Sequence, residues 1–218
     1  MADAATRLAH VRDRIARSAK AARRNPNDIT LVAVTKQRGV VEIEPLIAAG
    51  VKDFGENRVQ EADEKWPALR ADHPGLKLHM IGRLQSNKAD EAVRLFDVIH
   101  SVDRPSLLEG LVKAAEKTHR FPEIYVQVNI GAEEQKGGVP IADLPGFLQQ
   151  VRASPLPLAG LMGMPPLGHE PGPYFALLAE LARRHGVAGL SMGMSTDYET
   201  AVMLGATVLR VGTALFED

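Results

Sequence analysis

The sequence predicts a single α/β domain, a (β/α)8 TIM barrel with an extra N-terminal helix, and three observations predict it. Eight short apolar runs alternate strictly with helical patterns, and no linker interrupts the series. The first run is followed by Gln37, Arg38, Gly39 and Val40 rather than by the GxGxxG turn of a doubly wound sheet, which is the competing topology. A length of 218 residues accommodates eight such units when the loops are short, with residues 1–218 forming one domain.

Leu8, Val11, Ile15 and Ala19 recur at helical spacing, so the chain opens on an amphipathic helix. Arg7, Arg12, Arg14, Arg17, Lys20, Arg23 and Arg24 then form its solvated face. Asp3 and Asp13 interrupt the charge run, unlike a transit peptide. After the turn at Asn25, Pro26 and Asn27, strands are expected at Thr30–Lys36, Lys52–Gly55, Leu76–Ile81, Val98–Val102, Glu123–Ile130, Leu158–Met162, Gly189–Met192 and Thr207–Val211. Between them, spacings such as Val59, Ala62, Trp66 and Leu69 give each helix one apolar face. Asp103 before Pro105 is expected to begin the helix after the fourth strand, and Ser195 to cap the helix carrying Tyr198, Ala201 and Val202. His79, in an otherwise apolar third strand, reads as a satisfied core histidine.

Composition excludes several classes of function. The net charge of −1 gives no reason to expect nucleic acid or an anionic membrane as a partner. No cysteine is present, which removes disulfides, thiolate zinc sites and thiol nucleophiles, and the 7 histidines show no metal-binding spacing. No apolar run spans a bilayer and no signal-type segment precedes a cleavage site, so the expected compartment is the cytoplasm.

In a barrel the chemistry sits at the C-terminal ends of the strands. Lys36 closes the first β-branched run, where burial of an amine would make it a nucleophile toward carbonyls; emergence into solvent at the strand end is the alternative. The loops after strands seven and eight carry glycine-rich turns, Ser191 to Ser195 and Arg210 to Thr213, whose backbone amides and hydroxyls could cradle a phosphate monoester. Alternation puts Val208, Arg210 and Gly212 on one face, with Arg210 deeper than Gly212. Arginine can donate to a ring nitrogen but never protonate it near neutral pH. Glu56, Asn57, Gly82, Gln85, Asn87, Lys88, Ser101, Asp103, Arg104, Gln127, Asn129 and Lys136 complete a polar rim. It contains no Ser/His/Asp triad, carboxylate dyad or metal cluster.

The segments AVTK ending at Lys36, FGENRVQEA from Phe54, HMIGRLQSNK from His79, HSVDR from His100, VQVNI from Val126, GLMGMPP from Gly160, LSMGMSTDYETA from Leu190 and LRVGTALF from Leu209 resemble the pyridoxal phosphate homeostasis proteins. Those are barrels similar to the N-terminal domain of alanine racemase, and the resemblance runs in order over nearly the whole chain. It implies pyridoxal 5′-phosphate (PLP) as cofactor, held as an aldimine by Lys36, with Asn57 near its ring. It further implies phosphate donors at Ser191, Gly193, Gly212 and Thr213, and Arg210 facing the pyridine nitrogen. The chain departs from the family at Leu78, where tryptophan is frequent, and at Gly163 and Met164, which replace a Cys-Ile pair; it also ends soon after Phe216.

The implied function is a non-catalytic PLP carrier or buffer in vitamin B6 homeostasis, supplying PLP-dependent apoenzymes. The alternative is a PLP-dependent amino-acid racemase, which needs a second base opposite the lysine. Alanine racemase takes that base, a tyrosine, from a separate domain of a partner subunit. Here only Tyr125, Tyr174 and Tyr198 could substitute, and each falls in a strand or helix pattern. A lysine aldolase would need an acid/base group beside Lys36, and none is evident. A barrel closes its own sheet, so a monomer is expected.

Overall fold

The eight runs pair side by side in chain order. In the computed structural model, which describes residues 3–133 and 135–217, the strands are β1 (Thr30–Val34), β2 (Asp53–Glu56), β3 (Lys77–Met80), β4 (Val98–Val102), β5 (Glu123–Gln127), β6 (Leu158–Met162), β7 (Gly189–Ser191) and β8 (Val208–Val211). All pairings are parallel, and β8 returns to β1 to close the barrel. The helices are α1 (Ala4–Ala21), α2 (Val40–Ala48), α3 (Val59–Asp72), α4 (Ala89–Leu95), α5 (Pro105–Thr118), α6 (Leu144–Ala153), α7 (Pro171–Arg184), α8 (Tyr198–Met203) and α9 (Thr213–Phe216).

Strand positions match the sequence reading, and several ends differ. β1 stops at Val34, so Lys36 belongs to the turn beyond it. β5 stops at Gln127, although the Val128 N–H still donates to Met162 O of β6 at 2.8 Å and Val128 forms an isolated bridge with Val139. The helix after β4 begins at Pro105 with Arg104 as its N-cap, not Asp103. Asp103 instead accepts from the Gly138 N–H at 3.1 Å, joining the loops after β4 and β5.

The segment after β8 forms the short α9, and α1 covers the seam between β8 and β1. Leu8, Val11, Ile15 and Ala19 enter the hydrophobic core as its spacing requires. Its arginines, and Arg24 in the turn just beyond it, are not merely solvated. Arg24 donates to the carbonyls of Val202 at 2.6 Å and Ala206 at 2.7 Å, and Arg7 donates to Leu215 O at 3.0 Å. Arg14 pairs with Glu199 of α8, and Arg12 reaches the Ala49 and Gly50 carbonyls just past α2. Guanidinium groups at helix C-termini satisfy carbonyls that the helix leaves open.

Most of the core lies between strands and helices, with a second cluster inside the barrel formed by Val32, Val98, Tyr125, Met162 and Val208. The Tyr125 ring fits because Gly160 faces it across the β5–β6 register. A Cβ on Gly160 would lie 2.3 Å from Gly189 O and 2.5 Å from Tyr125 Cε1. Gly160→Ala must therefore move backbone or displace the ring, and it should destabilise the fold by about 2 kcal/mol or more. A urea unfolding curve with a lowered midpoint and unchanged slope checks this.

Candidate functional site

At the C-terminal mouth of the barrel a cavity of about 700 Å³ opens, lined among others by Lys36, Asn57, Gln127, Lys136, Ser195, Arg210, Gly212 and Thr213. Five of the seven sequence-predicted site residues, Lys36, Asn57, Arg210, Gly212 and Thr213, line it, whereas Ser191 and Gly193 do not.

Lys36 is exposed at the mouth, the second of the two placements that the sequence leaves open. Its backbone is nonetheless held firmly. The Thr35 N–H donates to Gly55 O at 2.9 Å, and the Thr35 hydroxyl to the fully buried Glu56 at 2.6 Å. Trp66 Nε1–H also donates to Glu56, at 3.0 Å. Lys65 of α3 lies 2.8 Å from the same carboxylate and donates to the carbonyls of Thr35 at 2.9 Å and Arg38 at 3.1 Å. Gln37 adopts a left-handed φ of 59°, and its N–H is taken by Glu61. Glu56 thus acts from outside the barrel, where strand alternation turns it toward α3, rather than on the rim.

Asn57 follows β2, and Gly82 seats directly on its backbone: a Cβ at Gly82 would lie 2.2 Å from Asn57 O. Gln127 donates to Gly137 O at 3.1 Å, which draws the loop after β5 over the mouth. Asn129 only staples that loop, exchanging hydrogen bonds with the Glu133 backbone. Gln85, Asn87 and Lys88 line a neighbouring basic cleft that shares Asn57 and Arg83 with this cavity. Ser101 is buried in β4.

On the opposite wall, Arg210 is 4% exposed and donates to Ser191 Oγ at 2.6 Å and to Gly163 O at 3.3 Å. Burial pushes its guanidinium down to about 10, opposed by the charge of Asp197, so it stays protonated at neutral pH. Burial in turn raises the Asp197 carboxyl above its ordinary value, opposed first by the Met194 N–H that donates to it.

Ser195 is not a helix cap, since α8 starts after Asp197. Its hydroxyl instead accepts from the N–H groups of Gly212 at 3.2 Å and Ala214 at 3.3 Å, beside Thr213. Two amides converging on one oxygen, with hydroxyls alongside, form an anion cradle. Ser191 lies below it, fully buried, with its hydroxyl engaged by Arg210 and His100. Gly193 has φ 94°, and a Cβ there would lie 2.6 Å from Ala201 Cβ. That glycine lets the loop turn so that its carbonyl accepts from the Arg210 N–H at 3.0 Å. Sequence spacing could not separate Ser191 from Ser195. His100, also buried, was visible only as part of a matching segment.

The cavity therefore offers an amine at its mouth, a fixed cation in its wall and an array of N–H and O–H donors between them. Such a donor set suits a phosphorylated aldehyde with a ring acceptor. Among the described residues no group of His, Asp and Glu is placed to hold a metal ion, and no helix is long and apolar enough to cross a membrane.

The model of the alanine racemase N-terminal domain matches residues 7–218. Relatives named pyridoxal phosphate homeostasis protein include one from Synechocystis, 39% identical over 88% of this chain and 93% of its own. Another, from Aquifex aeolicus, is 38% identical over 99% and 98%. Among solved structures, PipY of Synechococcus elongatus is 41% identical, covers 93% of this chain and 99% of its own, and superposes with TM-scores of 0.82 without PLP and 0.81 with PLP bound. Alanine racemase of Clostridium difficile, 14% identical with a TM-score of 0.72 over 93% of this chain and 54% of its own, shares the fold. A family match over residues 7–218 and relatives of this identity along nearly their whole length place the chain in the alanine racemase N-terminal domain family, among the pyridoxal phosphate homeostasis proteins.

Proposed function

We propose that this chain binds PLP in the barrel-mouth cavity and holds it for release in vitamin B6 homeostasis, without substantial catalysis. The observation that carries the reading is the single cavity that joins Lys36, Arg210 and the Ser195, Gly212 and Thr213 cradle. The relatives' name and the PLP-bound PipY structure support it. When bound, PLP would supply an aldehyde that the Lys36 amine captures and a ring that withdraws electrons from it.

Each anchor does a separable task. Lys36, on a turn fixed by Glu56, Lys65 and Glu61, presents its amine to the cavity. Ser195, Gly212 and Thr213 bind the phosphate and Gly193 serves that cradle through the loop turn, while Ser191 acts on Arg210 and not on the phosphate. Arg210 donates to the ring nitrogen without protonating it, which keeps the ring a weak electron sink. Among the described residues no tyrosine lines the cavity: Tyr125 and Tyr198 are buried elsewhere, Tyr174 packs edge-on against His169, and the lining carboxylate Glu217 is paired with Arg38. Lys136, the other lysine lining it, is paired with Glu133 at 2.6 Å. A racemase's second base thus has no free candidate among the described lining residues. The proposed recipients are PLP-dependent apoenzymes, and the proposed working form is a cytoplasmic monomer.

Protein mixed with PLP should absorb in the visible, and borohydride reduction should fix the cofactor mass on the peptide containing Lys36. Label on Lys136 or Lys88 alone would overturn that assignment. Pyridoxal without phosphate should bind at least about tenfold more weakly, since charge-assisted hydrogen bonds of roughly 1.5–3 kcal/mol are lost. Ser195→Ala should narrow this gap, as competition titrations will show. With alanine as substrate, racemisation should be negligible, while mixing with an apoenzyme should transfer the cofactor. Turnover near the roughly 10 s⁻¹ of an ordinary enzyme would contradict the carrier reading.

A further inference from the structure

Below the cavity, five polar side chains cross the barrel interior in one line. Asp53, at the N-terminal end of β2, lies 3.0 Å from His79 Nε2; His79 Nδ1 lies 3.0 Å from His100 Nε2. His100 Nδ1 is 2.8 Å from Ser191 Oγ, which accepts from Arg210 at 2.6 Å. The two histidines come from adjacent strands, and Tyr125 stacks on His100 at 4.6 Å with an interplanar angle of 12°. His79 is 4% exposed and His100 fully buried, so neither can exchange these partners for bulk water. Two buried histidines are costly unless each nitrogen is matched.

The order of donors follows from the Asp53 carboxylate, which only accepts, once both rings are neutral. Ser191 accepts from Arg210, which only donates, and turns its one proton toward His100 Nδ1. His100 then carries its proton on Nε2 and donates to His79 Nδ1. His79 likewise carries its proton on Nε2 and donates to Asp53, a carboxylate that only accepts. With both rings neutral, no other arrangement avoids facing two donors or two acceptors. Burial, then the repulsion that a proton on His79 would exert and the charge of Arg210, hold His100 well below the ordinary imidazole range, in keeping with a neutral ring.

We propose that Asp53, His79, His100 and Ser191 are positioning residues that hold Arg210 toward the ring nitrogen of the cofactor through one directional hydrogen-bond chain. Without it the guanidinium would keep Gly163 O, a longer contact at 3.3 Å, and would be free to swing. The inference rests on PLP occupying the cavity. It adds that the far end of the barrel, where the Asp53 side chain is 24% exposed, sets how well the ring is gripped.

The test has two arms on the full chain. Long-range proton–nitrogen NMR of the imidazoles, assigned with His79→Gln and His100→Gln, should show both histidines as Nε2–H tautomers; an Nδ1–H tautomer at His100 overturns the chain. In the second arm, Ser191→Ala should weaken PLP about tenfold while leaving inorganic phosphate, a probe of the cradle alone, unchanged. Asp53→Leu should mix the tautomers at His100 and weaken PLP in the same direction, and Asp53→Asn, which keeps an acceptor, should restore both. A general structural role would instead lower thermal stability with the wild-type tautomers retained. If the wild type binds PLP and Ser191→Ala stays within about twofold of it, this inference fails and the cofactor reading stands. A wild type that binds no PLP sinks both. Should Asp53→Leu not fold, the wild-type tautomers and Ser191→Ala decide the matter.

Discussion

The parallel pairing of β8 with β1 is the contact on which the rest of the structure depends. It joins the two ends of the strand series and sets Val32 opposite Arg210. A slip of one residue would turn Leu209 into the barrel and Arg210 out among the helices, and the wall of the cavity would lose its cation. The register is held from outside by α1. Arg24 binds the Ala206 carbonyl just before β8, and Arg7 binds the Leu215 carbonyl just after it. From the other side, the Arg210 N–H is held by Gly193 O. A helix that looks like an appendage, together with the turn after it, therefore holds the chain before and after the last strand.

Closure creates an interior that must accept charge. A buried guanidinium is costly unless its donors are matched, and Arg210 meets this with Ser191, Gly163 O and the field of Asp197. Glu56 is the counterpart outside the barrel, fully buried and gathering Thr35, Trp66 and Lys65 on one carboxylate oxygen. The two clusters play complementary parts. One fixes a cation in the cavity wall, and the other fixes the backbone on either side of Lys36, so the side chain alone is left to move.

Much of this was legible in the residues. Apolar runs and helical spacing located all eight strands, because a buried parallel strand has a composition that little else shares. Alternation along β8 correctly put Arg210 in the interior below Gly212. The same alternation was not carried to β7, where Ser191 sits beside Val208 and faces inward; only past the turn at Gly193 does the chain bring a hydroxyl, Ser195, back to the mouth. The arginines of α1 and Arg24 read as solvated from sequence alone because their acceptors include carbonyls at the far end of the chain, and no local pattern marks those. The histidine chain was hidden for a related reason. Asp53, His79 and His100 lie on three strands, and each alone is an ordinary polar interruption in an apolar run.

Exposure of Lys36 also changes the physical argument about its chemistry. Burial and emergence into solvent are both open from the sequence, and the structure places the side chain exposed at the cavity mouth. A solvated amine on a fixed turn is poorly suited to excluding competitors. On the proposed reading that suits exchange: Lys36 would hold the aldehyde at the mouth, where another amine could compete for it, while the phosphate cradle and Arg210 would hold the rest of the cofactor. Retention would then depend mainly on the phosphate cradle at the rim and on Arg210 in the wall, and release on access at the mouth. An enzyme that must protect a reactive intermediate would bury this lysine and cover it, because water and stray amines divert such species. A carrier gains from the opposite arrangement, in which tight contacts lie far from the exchanging bond and the bond itself stays open to the partner that will take the cofactor.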